Sequence, residues 1–154
     1  IIIINMISLA LYKPDIPQNT ASIIRLSACL GVKIHIIEPC GFNINDPKFK
    51  RVVMDYIGLS SIILYETFEK FIETNRESTV VLMTTHAKKS LYNFKFKKND
   101  IILLGRESKG VPNNIHKMIN HKLKIPMTNK ARSLNVSITA SISLSEALRQ
   151  IKKI

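Results

Sequence analysis

The chain has 154 residues, 45% of them hydrophobic, and carries 23 Lys and Arg against 11 Asp and Glu, a formal charge of +12 with a pI near 9.9. A chain of this length buries about two-thirds of its unfolded surface, which fits one domain spanning residues 1–154 and argues against a second. Its longest apolar stretch, residues 1–12, is broken by Asn5 and Ser8 and falls well short of the ~20 residues of a spanning helix; it also lacks the basic leader and cleavage site of a signal peptide, so a soluble, cytoplasmic protein with no membrane contact is expected.

Residues 6–12 are mostly apolar with weak alternation, as in a strand buried on both faces, and residues 1–5 are set aside as an N-terminal flank. Pro14 and Pro17 defer regular structure to Asn19 or Thr20, where a side-chain cap starts a helix running to Gly31. Its apolar positions Ile23, Ile24, Leu26, Ala28 and Leu30 cover much of its surface, so it should pack on both sides. Residues 32–38 form a second strand stopped by Pro39. Asp46-Pro47 supplies a cap and a first-turn proline for a helix through Tyr56. Residues 61–65 then read as a strand, 67 to about 76 as a helix and 79–84 as a strand.

A Lys-rich stretch from 85 to 100 is poorly patterned and reads as exposed. Its lysines are candidate RNA contacts or simply solvated charges. A strand at 101–104, a short helix opened by Pro112, a strand at 123–125 and a final helix from about 134 to 152 complete the alternation. Such alternation implies an α/β fold, a parallel sheet covered by helices on both faces as an α/β/α sandwich. The positive charge favours a polyanionic partner, RNA or DNA, through counterion release, although richness in Ile, Lys and Asn together is also what AT-rich coding produces.

Several chemistries are disfavoured by the residues. There is no Gly-x-Gly-x-x-Gly fingerprint, no phosphate loop and no Gly-x-Ser-x-Gly elbow, and His35, His86, His116 and His121 are dispersed. Cys29 and Cys40 form no Cys-x-x-Cys and have no histidine at zinc spacing, so no metal is expected and a reduced compartment is the simpler reading. What remains is Gly105-Arg106-Glu107-Ser108-Lys109-Gly110 after one strand, Ile125-Pro126-Met127 after another, and Ser133-Leu134-Asn135 capping the final helix. Loops of this kind let main chain approach a flat ligand such as adenine. Each alone also reads as an ordinary turn or cap; the three in this order are more specific.

With those motifs the chain resembles the trefoil-knotted SPOUT RNA methyltransferases, most closely the small tRNA wobble-nucleotide 2′-O-methyltransferases of the TrmL (YibK-like) type. Leu11-Tyr12-Lys13-Pro14, Ile16-Pro17-Gln18-Asn19-Thr20 and Ile23-Ile24-Arg25-Leu26 are similar to the first motif, followed by His35-Ile36-Ile37-Glu38-Pro39 and Gly41-Phe42. Gly105, Glu107, Gly110 and Pro112 match the second, and Ile125-Pro126-Met127, Arg132-Ser133-Leu134-Asn135 and Glu146-Ala147-x-Arg149-Gln150 the third. It departs at Arg106, Ile138 and Ser145, where relatives often carry Pro, Asn and Tyr.

The resemblance implies a deep carboxyl-terminal knot holding S-adenosylmethionine, with S-adenosylhomocysteine as product, at Met83, Gly105, Glu107, Ile125, Met127, Ser133 and Leu134. It implies Arg25 as catalytic residue, with Asn19 and Asn135 positioning the substrate. It also implies the tRNA anticodon loop as target and a homodimer joined through the final helix; the alternatives are a ribosomal RNA target and, from a different class, a non-catalytic basic RNA-binding protein on the same fold. The row Ser133, Ser137, Ser141, Ser145 would let another helix approach closely, or would simply be a solvated stripe.

Overall fold

Two runs, Ser8–Tyr12 and Ile101–Leu104, offer no polar face to solvent, and both are strands buried throughout at the centre of a parallel sheet. The computed structural model describes residues 6–58 and 61–151; the flank assigned to residues 1–5 and the helix end expected at 152 lie outside the described residues. Seven strands, β1 (Ser8–Tyr12), β2 (Lys33–Ile37), β3 (Ser61–Tyr65), β4 (Val80–Met83), β5 (Lys89–Ser90), β6 (Ile101–Leu104) and β7 (His121–Lys124), run parallel in the order β3-β2-β1-β6-β4-β7-β5. Two late strands are thus inserted among earlier ones: β6 between β1 and β4, and β7 between β4 and β5.

Period-two alternation sorts the strand residues into two cores. Leu9, Leu11, Ile34, Ile36, Val81, Met83, Ile102, Leu104 and Leu123 face α1 (Pro17–Leu30), α2 (Pro47–Ile57) and α5 (Val136–Gln150). Ala10, Tyr12, Ile37, Leu82, Ile101 and Leu103 face α3 (Phe68–Thr74) and α4 (Asn113–Met118). Helix α1 packs against both α2 and α5, as its broad apolar surface requires.

Several boundaries differ from the sequence expectation, each for a reason of turn chemistry. Helix α1 starts at Pro17 rather than Asn19 or Thr20, because proline at a first helical position forgoes only an amide that has no helical partner anyway. Asn19 is therefore inside the helix and its side chain is free of capping. The stretch expected to lack pattern contains β5 and a 3-10 turn at Leu91–Asn93. The strand expected at 123–125 is β7, two residues earlier at its start, and α5 is capped by Asn135, whose side chain accepts from the Ser137 amide at 2.8 Å. Ser133 precedes that cap and lies outside the serine row of the helix. The cap at Asp46 and the proline after it are found as expected. Among the described residues no helix is long and apolar enough to cross a membrane.

A buried polar cluster centred on His35 lies on the α3 face. His35 is 4% exposed, with Nε2 3.1 Å from Ser8 Oγ and Nδ1 2.8 Å from the Tyr65 hydroxyl. Asn75 Nδ2 donates to that hydroxyl at 3.3 Å, so the arrangement satisfying every group has Tyr65 donating to Nδ1 and Nε2–H donating to Ser8. Burial, with Lys33 adding to it, lowers the His35 pKa from 6.5 to about 4. The folded state therefore binds this proton more weakly than the unfolded chain, and the stability due to neutral His35 is present above pH 6.5 and lost as pH falls toward 4. Denaturant titrations should show about 2 kcal/mol lost from this group between pH 6.5 and 5, and a His35→Gln variant should lack that slope; the same slope in both proteins would refute the assignment.

Candidate active site

Because the strands are parallel, the segments leaving β4, β6 and β7 emerge at one edge of the sheet, the usual location of ligand sites in α/β folds. Together with the start of α5 they line a cavity of about 570 Å³, within the ~300–1,000 Å³ typical of small-molecule sites. Met83, Gly105, Glu107, Ile125, Met127, Ser133 and Leu134 all line it, as do Asn19 and Asn135. Arg25 does not. It is exposed on α1, about 9 Å along the helix axis from Asn19, with its guanidinium carbon 5.1 Å from the centre of the Tyr56 ring.

A reciprocal clasp joins the segment before α1 to the segment after β6. The Asp15 amide donates to Glu107 Oε2 at 3.0 Å and the Glu107 amide donates to Asp15 Oδ1 at 3.1 Å. Ser108 Oγ donates to Asp15 Oδ2, and Arg106 Nε lies 3.5 Å from the same oxygen. Asn19 Nδ2 reaches Glu107 Oε1 at 3.4 Å, and Asn135 Nδ2 donates to Asn19 Oδ1 at 3.0 Å, so one chain of polar contacts runs from the β6 loop through α1 to the cap of α5. The two carboxyls divide their protons unequally. Contact with Glu107 lowers Asp15 to about 2, with Ser108 and Arg106 acting in the same direction, whereas burial and the adjoining Asp15 raise Glu107.

The β6 loop folds back on itself. Arg106 and Gly110 exchange main-chain hydrogen bonds of 3.2 and 2.8 Å, and Gly110 has φ 64, in the left-handed region. A Cβ on Gly105 would sit 2.7 Å from the Gly110 Cα, so only glycine permits this closure. His116 on α4 also lines the cavity, and its Nε2 is buried with no hydrogen-bond partner among the described residues. A cavity of this size, a main-chain cradle kept clear of side chains and one unsatisfied ring nitrogen fit the adenosine-containing donor that the resemblance implies.

Sequence reasoning gave no site role to Asp15, His86, His116 and Lys124, and it placed Ser108 in the β6 loop without its partner Asp15. Asp15 left one signal, an acid between two prolines in a strongly basic chain. The ring centres of His86 and His116 are 6.3 Å apart although the two lie thirty positions apart in the sequence, a proximity that no local pattern encodes.

Residues 6–145 match the SpoU rRNA Methylase family. The chain is 45% identical over 147 residues to the tRNA (cytidine(34)-2'-O)-methyltransferase of Beijerinckia indica subsp. indica, covering 93% of this chain and 91% of that one. It superposes with a TM-score of 0.91 on a structure described as giving insights into 2-OH methylation of C/U34 on tRNA, at 36% identity and covering 97% of this chain and 99% of that one. It shares its fold with the SpoU methyltransferase AviRb from Streptomyces viridochromogenes in complex with AdoMet, with a TM-score of 0.85 at 23% identity, covering 97% of this chain and 62% of that one. With nearly its whole length matched and the strand-end loops meeting at one cavity, the chain belongs to the SpoU rRNA Methylase family.

Proposed function

We propose that the protein methylates the ribose 2′-hydroxyl of the tRNA wobble nucleotide, cytidine or uridine 34, using S-adenosylmethionine and releasing S-adenosylhomocysteine. The observation that carries this reading is the convergence of the β4, β6 and β7 exits and the start of α5 on one cavity, in a chain 45% identical to a tRNA (cytidine(34)-2'-O)-methyltransferase. A ribosomal RNA target agrees with the family's name, but the Beijerinckia relative and the solved structure at 36% identity both concern position 34 of tRNA. A purely RNA-binding role would leave the Asp15–Glu107–Asn19–Asn135 chain and its cavity without a purpose.

When bound, S-adenosylmethionine supplies a methyl group from a sulfonium that departs as a neutral thioether, so the protein must align the acceptor and dispose of one proton. Main chain at Met83, Gly105, Ile125 and Ser133 would hold the donor, with Met127 and Leu134 as apolar walls. Glu107 fixes Asn19, and Asn19 with Asn135 positions the ribose. A guanidinium stays protonated in proteins and is a poor base; Arg25 therefore grips a phosphate or stabilises the developing alkoxide while a phosphate oxygen or water takes the proton.

We further infer a homodimer through α5. Helix α1 packs on α5, so such a dimer would bring the exposed flank of α1, with Arg25, toward the second subunit; the exposed Leu134 and Ile138, 38% and 48% accessible, support a covered surface at the start of α5. The insertion of β6 and β7 among earlier strands supports the trefoil knot, an exception to the rule that connections do not thread loops. A single catalytic domain acting in the cytoplasm is the corresponding placement.

Labelled donor and bulk tRNA should yield a 2′-O-methylated pyrimidine nucleoside at position 34 after digestion; label on a base would overturn the reaction. Gly105→Ala should weaken donor affinity at least about tenfold by calorimetry, equivalent to roughly 1.4 kcal/mol, because its new methyl collides with Gly110; unchanged affinity would remove the β6 loop from the donor site. Arg25→Ala should abolish transfer while leaving donor affinity near wild type, and an equal loss of both would take Arg25 out of the reaction.

A further inference from the structure

We propose, resting on the tRNA reading above, that the sheet edge formed by β5 and the segment following it, residues 86–98, is the surface on which the phosphate backbone of the substrate tRNA lies. The charge of the chain is not spread evenly. Residues 78–145 hold 12 of the 23 Lys and Arg but only two of the 11 acids, a net +10 of the total +12. Both of those acids are engaged internally: Asp100 is 4% exposed and accepts from the Lys97 amide at 2.8 Å, and Glu107 is held by Asp15 and Asn19. Glu66, Glu69, Glu73 and Glu77 cluster instead on and around α3, which packs on β3 at the opposite edge. Solvating lysines with no partner in view would need no such segregation.

The cations of this edge sit on a fixed support. Leu91 and Phe96 are buried, and Gln150 from α5 clamps the main chain between them, accepting from the Phe96 amide at 2.8 Å and donating to the Phe94 carbonyl at 2.9 Å. Against that support Lys88, Lys89, Lys95, Lys97 and Lys98 are exposed, and among the described residues none has an acid within ion-pair distance. Unpaired surface cations held by a rigid segment can exchange condensed counterions of a nucleic acid without first breaking an ion pair.

The edge is continuous with the cavity. Ser90 pairs in register with Lys124, which lines the cavity together with His86, and adjacent strands are only about 4.8 Å apart. An RNA entering the cavity with one ribose would meet Lys89 and the lysines beyond it with its neighbouring phosphates. Tyr92, 55% exposed in the same segment, offers a ring on which an unpaired base can stack.

The test compares a triple variant, Lys95→Gln with Lys97→Gln and Lys98→Gln, against a control of equal charge change on the exposed start of α2, Lys48→Gln with Lys50→Gln and Arg51→Gln. Filter binding of tRNA is measured between roughly 50 and 200 mM salt, the range over which phosphate-binding cations report themselves, alongside donor affinity and label transfer. The edge variant should bind tRNA at least about tenfold more weakly, with a salt slope shallower by about one for each phosphate that is no longer neutralised, and should bind donor as wild type does. Unchanged tRNA affinity and slope, or an equal weakening in the α2 control, would overturn the surface while leaving the reaction intact. If wild-type protein transfers no label to any tRNA, the reaction reading fails and the surface falls with it.

Discussion

Two carboxylates and the two amides that cross between them hold the site in shape. Asp15 leaves β1 and Glu107 leaves β6, neighbouring strands in the sheet, and each side chain accepts the other's main-chain N–H across 92 residues of sequence. Two acids this close would repel if both were charged. Asp15 is the one stabilised as an anion, by its contact with Glu107 first and then by Ser108 and Arg106 on its second oxygen, while burial favours the protonated form of Glu107. The arrangement closes the cavity wall and, through Asn19, hands a second contact to the amino end of α5. Remove the clasp and the β6 loop, α1 and α5 lose their common reference.

Much of the fold is legible in the sequence because burial on both faces leaves a plain mark. The apolar runs at Ser8–Tyr12 and Ile101–Leu104, the Asp46-Pro47 start of α2 and the broad apolar surface of α1 all become what their chemistry suggests. The start of α1 is harder to place, since Pro17 resembles a breaker and only its position in the first turn makes it an opener. β5 is invisible, since two residues beside a buried Leu91 carry no period. The strand order is also beyond local patterns: which of several apolar strands lies between β1 and β4 depends on crossovers, and the tendency of connections not to thread one another argues against the order found.

The site itself is legible only in part, for a reason built into its chemistry. Gly105 contributes by having no side chain, and the roles proposed for Met83 and Ile125 are those of main chain, so side-chain identity says little about them. Loop position after a strand and the order of three loops carry the signal instead. Asn19, Asn135 and Glu107 can be picked out as candidate site residues, yet Asp15, which holds Glu107 in place, cannot, because its partner is distant in sequence. Arg25, singled out by the resemblance alone, lies over the Tyr56 ring rather than at the cavity.

The lysine-bearing edge has a consequence for the sheet as well. An exposed outer strand presents unpaired N–H and C=O groups that invite another sheet to continue it. Here β5 is two residues long, Lys89 lies over the Phe94 ring at 5.4 Å, and a 3-10 turn follows at once. A second copy approaching strand to strand would find almost no ladder to extend and a row of like charges facing its own, so this side of the molecule resists fibre-like stacking even at high protein concentration.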